Sequence, residues 1–572
     1  MSVFKSFFLY KCLKNSFVLL SCIFFVFSIL NPYHTLPWVS FYSEKYSFLS
    51  FICIAFFLLN EKLKIPYIII PVFFISLVPI IQYYLGLIIF FETAFLGMVY
   101  LFCFFISIIF GYNLSKASNS DNVFDAISLF SYILIFISLI SSLIIIFQWL
   151  NFYNLQPYVL KIMSTRPYGN LAQPNQMGTI LLMGIASSWY VYEKKNEKSI
   201  ALLFTTLIIL FSVVLTQSRT SWLIILLLFL YYLYKKKICY LKITTKKIIF
   251  LILFFVSNVI LLPLYNYLFT FINLGVVQTV DVLTRSTTGY LRLGVWMHFF
   301  KTLMEKPLQG YGWYQTQLAN ISLIEESVEP QVIDSSHNIV LDLLIWCGIP
   351  LGVMIFGLFF LFLVRILIKS SSLENLFFSM IIIIICTHAF LEYPLFYSYF
   401  LFPLGFVIGG ALVQFELNYT RSTKKINVFS LLFLITLFFV IDVGYEYMYR
   451  KRMNLALIDE YKNETLPDYF PPESSFIIEN FFYDRSDFII FWIKFNPYQL
   501  LGDAQIEKLK INVRATATQQ GLIKLAVLLA YNNKKEEALN IIDIIDKFYH
   551  VEIKYEQLHE KIIFDKICRF CT

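Results

Sequence analysis

Hydrophobic residues fill 59% of the 572 positions and charged residues 14%, and the mean hydropathy of +0.71 excludes a water-soluble globular chain of this length. The solvent for most of this chain is lipid. Its net charge of +8 follows the loops between apolar runs, so it reports topology and argues against nucleic-acid binding.

About thirteen apolar runs long enough to cross the hydrocarbon recur between residues 17 and 444. The predicted fold is an all-α polytopic membrane bundle. The first run, Phe17 to Leu30, follows Lys5, Lys11 and Lys14. No small-residue cleavage site precedes the Asn31-Pro32 turn, so the run is expected to stay as an uncleaved helix. With the N-terminus inside, the inward loops at 61–64, 111–125, 193–198, 235–247, 365–372 and 416–425 carry roughly twenty cations. The outward loops carry Lys45, Lys161, Arg166 and Arg219, in agreement with the positive-inside rule.

Three non-membrane pieces then fall on the outward side. The loop 151–173 contains Gln156-Pro157 and Arg166-Pro167-Tyr168-Gly169, which end one helix and redirect the chain. It leads into Gln173-Pro174-Asn175-Gln176, polar amides at the start of an apolar run that must find partners or face a cavity. The segment 270–336 mixes Arg285, Arg292, Trp296, Lys301 and Glu305 with a turn at Pro307, Gly310 and Gly312. Short surface helices lying on the membrane fit it better than a span. The third piece, 445–572, is far more polar and reads as a small soluble domain. Residues 521–531 and 534–539 form a helical hairpin of the tetratricopeptide kind, suited either to capping the bundle or to gripping a protein. The expected domains are therefore residues 1–269 and 338–445 as membrane helices, 270–337 as a large loop, and 446–572 as a soluble helical domain.

Chemistry concentrates at Asp334-Ser335-Ser336-His337-Asn338 and the following Asp342, where the chain re-enters the membrane. A titratable group there is costly to keep, and an imidazole of ordinary pKa, about 6.5, can take a proton from a hydroxyl at neutral pH. His34, His298, His388, His550 and His559 read as structural histidines. Arg285 and Arg292, seven residues apart, would share one helix face. Two guanidinium groups so placed suit either a pyrophosphate or lipid headgroups. Glu392, followed by Tyr393 and Pro394, is a carboxylate at the end of an apolar helix, either reactive or paired with Arg285 or Arg292. Most cysteines lie in apolar runs as small hydrophobes, whereas Cys568 and Cys571 sit where a disulfide could persist. No P-loop, GxGxxG, HExxH or Asp-x-Asp pattern is present, so a transferase here needs a donor activated by other means.

These residues resemble the O-antigen ligase superfamily of bacterial inner-membrane glycosyltransferases, and in particular its protein O-oligosaccharyltransferase branch. The resemblance rests on residues 336–344 followed by Cys347-Gly348-Ile349-Pro350-Leu351-Gly352, and on Arg285, Arg292 and Trp296 with the turn 307–313. Asn31-Pro32-Tyr33-His34, the stretch 166–175 and residues 391–395 suggest the protein-ligase branch. It implies a fold of the lipid-sugar glycosyltransferase type and a glycan donor linked through pyrophosphate to undecaprenol. It also implies transfer without metal or cofactor to hydroxyls of periplasmic or pilin proteins, at the outer face of the bacterial inner membrane. By the same resemblance His337 is the essential histidine, Arg285 and Arg292 the loop arginines, and Gln173 and Tyr393 polar positions tied to activity. Arg166, Asn175, Asn338 and Glu392 complete the candidate set. Trp346 departs from the pattern, since many relatives carry an acidic residue shortly after the histidine. Ligation of O-antigen to lipid A core, polymerisation of repeat units, and transport of lipid-linked sugars remain the alternatives.

Overall fold

The computed structural model describes residues 2–34, 38–58, 63–118, 125–152, 157–195, 199–272, 290–323, 333–415, 419–421 and 484–559, with the single positions 61, 155 and 277. Arg285, Cys568 and Cys571 lie outside the described residues. The chain divides into two compact units.

The first unit comprises Met1–Val72, Phe102–Arg285 and Leu361–Pro472. In chain order it holds α1 (Ser2–Leu30) and α2 (Phe41–Leu58), then the short strand β1 (Lys64–Pro66). Helix α3 (Ile70–Ser76) crosses into the second unit after Val72; α4 (Val78–Tyr84), separated from it at Leu77, belongs to that unit, and α5 (Phe91–Ser118) begins there and continues here. Next come α6 (Ala126–Trp149), α7 (Pro174–Lys195), α8 (Ile200–Thr216), α9 (Arg219–Lys236) and α10 (Thr245–Phe271).

The second unit comprises Phe73–Leu101, Ser286–Phe360 and Glu473–Thr572. It contains α11 (Tyr290–Glu305) and α12 (Thr316–Ser322), the short helices expected in the 270–336 segment, and most of α13 (Ile339–Lys369). Helices α14 (Leu373–Ala389) and α15 (Ser398–Ala411) and strand β2 (Tyr419–Arg421) return to the first unit. The second unit then closes with α16 (Asp484–Lys494), α17 (Asp503–Thr516), α18 (Gln519–Tyr531) and α19 (Lys535–Tyr549).

Six stretches among the described residues are long and apolar enough to cross a membrane, and four shorter apolar helices accompany them. The sequence count is higher because α7 opens on polar amides and α9 ends on Lys235 and Lys236, which dilute their hydropathy, and because the run near residues 427–444 lies outside the described residues. The all-α expectation holds apart from one antiparallel pair of three-residue strands, in which Ile65 faces Thr420.

Local chemistry explains the helix starts in the first unit. Asp125, Ser199, Ser218, Thr244 and Ser372 each accept a hydrogen bond from the backbone N–H three residues on, satisfying donors that a helix start leaves orphaned. Glycines then let helices touch. A Cβ on Gly409 of α15 would lie 2.0 Å from the Ile108 carbonyl of α5, and one on Gly111 would lie 1.9 Å from the Phe406 carbonyl. Such backbone approach is how helices pack where lipid removes the hydrophobic drive between them.

In the second unit a break in α13 is completed by a distant turn. Pro350 has no N–H to give the Trp346 carbonyl, and Gly348 sits at φ +73°, so the helix is interrupted here. The turn after α11 supplies the missing partners. Tyr311 N–H donates to the Ile345 carbonyl (2.8 Å), Gly312 N–H to the Trp346 carbonyl (3.1 Å), and Ile349 N–H to the Pro307 carbonyl (2.7 Å). Gln82 Nε2 also donates to the Trp346 carbonyl, at 2.8 Å. Gly310 must be glycine, because a Cβ there would lie 2.5 Å from the Gly348 nitrogen. Trp346 itself packs against Trp313 and donates its indole N–H to Thr316 Oγ1 at 2.7 Å. The two motifs are halves of one joint, and they fix the start of α13 against the loop helices.

The hairpin expected near residue 521 is α18 and α19, whose apolar faces share a core with α16 and α17. That core reaches Phe90, and Asp484 explains why: its carboxylate accepts the backbone N–H groups of Phe91 (2.7 Å) and Glu92 (3.0 Å). A side chain 393 residues away therefore caps the start of α5. Asp484→Ala is expected to lower stability by about 1 kcal/mol and to speed limited proteolysis of the C-terminal helices; unchanged proteolysis would contradict the capping role.

On the hairpin surface, the hydrogen bond from Lys510 holds Glu537 below the usual carboxylate range, with Lys534 adding to the effect. A depressed carboxyl stabilises the fold above its unfolded pKa and loses that contribution as pH falls through the folded value. The melting temperature of wild type should thus fall below about pH 4 more than that of Glu537→Gln, as thermal melts at pH 7 and pH 3.5 would show.

Candidate active site

His337 occupies the turn that feeds α13, and its backbone is left-handed, φ +56°. That conformation is uncommon for a residue with a Cβ and is held only where neighbours over-determine it. Here the neighbours are Asp342 and Ser335. Asp342, 1% exposed in the first turns of α13, accepts Ser335 Oγ–H at 2.7 Å and Ser336 N–H at 2.8 Å. Ser335 Oγ in turn accepts His337 N–H at 3.1 Å. The carboxylate thus folds the chain back over the helix start and pins the backbone of the histidine. Asn338 supplies the cap, its Oδ1 accepting Val340 N–H (3.0 Å) and Leu341 N–H (3.4 Å). The structure gives this candidate a helix-capping task.

Helix α11 is tied to the same turn. Trp296 Nε1–H donates to the Ser336 carbonyl at 3.0 Å. Arg292 lies four residues earlier, on the same helix face and about 6 Å along the axis. Arg292, a half-buried residue, therefore lies on the side of α11 that meets the histidine turn. The helix described starts at Tyr290, so the seven-residue pairing with Arg285 falls outside the described residues.

The remaining candidates belong to the first unit. Gln173 Oε1 accepts Gln176 N–H at 2.7 Å and caps α7. Asn175, one position into that helix, donates its amide to Glu392 Oε1 at 2.9 Å, and its Oδ1 accepts Arg166 Nη2 at 3.4 Å. Arg166 also closes the end of α8, donating to the carbonyls of Thr216 (3.0 Å) and Gln217 (3.3 Å). The pairing of Glu392 with Arg285 that the sequence offered involves a residue outside the described ones; Asn175 is one hydrogen-bond partner of Glu392. The amide thus relays between a carboxylate and a guanidinium. Tyr393 packs its ring near those of Phe396 and Tyr397.

Asp342 stands out in the sequence as a carboxylate five residues after His337, and only the reversal of the chain shows its use. Gln148 and Tyr399 are not singled out from sequence. Gln148 holds the 151–173 loop, accepting Tyr168 N–H (3.1 Å) and Gly169 N–H (2.8 Å) and donating to the Leu160 carbonyl (2.9 Å). Buried Tyr399 donates to Gln176 Oε1 at 2.8 Å. Among the histidines read as structural, His34 bonds the Asn170 carbonyl (2.6 Å) and His298 the Asn320 carbonyl (3.2 Å). Fully buried His388 joins Thr179 Oγ1 at 2.9 Å, one helical turn from Asn175.

Comparison with known proteins places these clusters in context. Residues 204–356 match the family model described as O-antigen ligase, residues 167–191 that of protein glycosylation ligase, and residues 376–557 that of virulence factor membrane-bound polymerase, C-terminal. The chain is similar to the general O-oligosaccharyltransferase of Acinetobacter baylyi, with 30% identity over 546 residues, 95% of this chain and 94% of that protein. It is also similar to the ComP-specific O-oligosaccharyltransferase of the same organism, with 28% identity over 383 residues, 64% of this chain and 66% of that one. The ligase match contains Arg292 and His337; the glycosylation-ligase match contains Gln173 and Asn175.

Proposed function

The chain belongs to the bacterial O-oligosaccharyltransferase family, and from that premise we propose that it transfers a preassembled oligosaccharide from undecaprenyl pyrophosphate to Ser or Thr hydroxyls of periplasmic or pilin proteins. The observation that carries this reading is similarity along nearly the whole chain to a general O-oligosaccharyltransferase. The chain is a polytopic membrane glycosyltransferase; its proposed place is the inner membrane, with the site at the periplasmic face.

In this reading Arg292, with Arg285, holds the pyrophosphate and stabilises the charge that develops as it leaves. The acceptor oxygen attacks the anomeric carbon from the opposite face, giving inversion. His337 takes the hydroxyl proton or orients the acceptor. Because the leaving group is a lipid pyrophosphate met by guanidinium groups, the reaction proceeds without metal. Asn175, Glu392, Gln173, Tyr393 and Arg166, polar residues of the first unit, are assigned to the protein-ligase reaction by the family resemblance.

The polymerase-type match over residues 376–557 favours one second reading, extension of the glycan itself. Offering the purified enzyme lipid-linked oligosaccharide with an acceptor protein, lipid A core, or neither separates the readings by product mass. Protein modified at Ser or Thr supports the proposal, and lengthened lipid-linked glycan or modified core would replace it. Arg292→Lys keeps the charge and loses the planar fork, so it is expected to reduce kcat/KM for the donor by about tenfold or more. Titrating the lipid donor would measure this, and an unchanged value would remove Arg292 from the donor site.

A further inference from the structure

The first unit contains a cavity of about 560 Å³ that the transfer chemistry does not use. It lies among α7, α8, α9, α10 and α14, at the ends of α7 and α14 remote from Asn175 and His388. Asn175 and Tyr192, which lines the cavity, are seventeen residues apart on α7, about 25 Å along its axis. The volume suits a bound ligand. The walls are mainly hydrocarbon, with Phe229, Ile252 and Phe255 among them. At its edge Ile200, Leu203 and Phe250 are 71%, 46% and 52% exposed, so the cavity opens toward the lipid-facing surface. Apolar walls of this kind gain dispersion contacts from a hydrocarbon occupant and hold no water.

Its rim is basic and built. Lys246 and Lys247, in the first turn of α10, line the cavity and are exposed. Tyr192 holds Lys247 in place, accepting its ammonium at the phenol oxygen (2.7 Å), with the ring centroid 5.0 Å away. The nearby Glu193 carboxylate accepts the backbone N–H groups of Lys242 and Ile243, both at 2.9 Å. Its charge is thus directed into the loop backbone. Lys235 also lines the cavity, but its ammonium is bonded to the carbonyls of Ile368 and Ser370.

We propose that this cavity binds one acidic phospholipid of the inner leaflet, an acyl chain filling the hollow and the phosphate meeting Lys246 and Lys247. A basic rim over a hydrocarbon slot between membrane helices is the arrangement that recognises anionic headgroups. The proposal rests on insertion of the chain in a membrane with its lysine-rich loops inside, and it stands apart from the transfer reaction.

The test uses the full-length protein purified in detergent, with retained lipid counted by native mass spectrometry and the unfolding midpoint followed. Phosphatidylglycerol, phosphatidylcholine and undecaprenyl phosphate are added in separate arms. One retained phosphatidylglycerol that raises the midpoint is expected. Lys246→Gln with Lys247→Gln should weaken its retention about tenfold or more. Leu203→Trp, which fills the hollow, should abolish retention while leaving the midpoint in lipid-free detergent near wild type. Equal retention of phosphatidylcholine, retention undiminished in the lysine variant, or displacement of phosphatidylglycerol by undecaprenyl phosphate would overturn the proposal.

Discussion

His337→Ala is expected to lower glycan transfer by about 10²- to 10⁴-fold, the range for loss of a group that moves or positions a proton. The left-handed backbone at this residue makes the choice of controls decisive. Alanine at φ +56° is strained, so a loss in that variant alone leaves fold and chemistry confounded. Glycine and asparagine tolerate the conformation, and His337→Gly and His337→Asn should keep the turn and the melting temperature. If both lose transfer like the alanine variant, the imidazole is needed for the reaction. Retained activity in His337→Gly would assign the position to the backbone alone.

The second large effect concerns Asp342, which acts through the histidine. Asp342→Ala leaves Ser335 Oγ–H and Ser336 N–H without their acceptor in a buried place, at a cost of about 1–3 kcal/mol for each. It also frees the backbone that sets the direction of the imidazole. A displacement of about 1 Å at a reacting group can cost about 10²-fold. A fall in kcat of that order is expected with donor KM nearly unchanged, because the pyrophosphate is assigned to the arginines. Asp342→Asn retains one acceptor oxygen and should recover much of the loss. A KM effect of the same size, or no rescue by asparagine, would mean that Asp342 does something other than position His337.

Both predictions concern a turn whose polarity is legible in sequence and whose wiring is not. Residues 334–342 stand out because hydroxyls, an imidazole and a carboxylate gather where lipid begins, and the helices that follow declare themselves by hydropathy. The Pro307–Trp313 turn and the Gly348-Ile349-Pro350 break are each readable as interruptions. That the turn donates the hydrogen bonds the break leaves unmade depends on contacts across more than thirty residues, which local pattern does not encode. The same holds for Asp484, whose polar site lies at the start of a helix nearly four hundred positions earlier. Trp346, where an acidic residue was expected, now has a role as a bracket to Thr316 and Trp313. Asn175 and Glu392 stand out as polar groups beside apolar runs, and Arg166 as a loop cation and site candidate, but that Arg166 closes α8 is not legible in the sequence. Burial and chain ends of helices can be read locally. Pairing between remote polar groups needs the fold.

The most direct measurement is glycan transfer by the full-length protein in detergent, supplied with an undecaprenyl-pyrophosphate oligosaccharide and a pilin-type acceptor in excess EDTA. Modified protein and released undecaprenyl pyrophosphate should appear in equal amounts with wild type, the new linkage inverted at the anomeric carbon. Both products should be lost with His337→Gly. Retained anomeric configuration, transfer abolished by EDTA and restored by a divalent cation, or release of the lipid pyrophosphate without glycosylated protein would contradict the account.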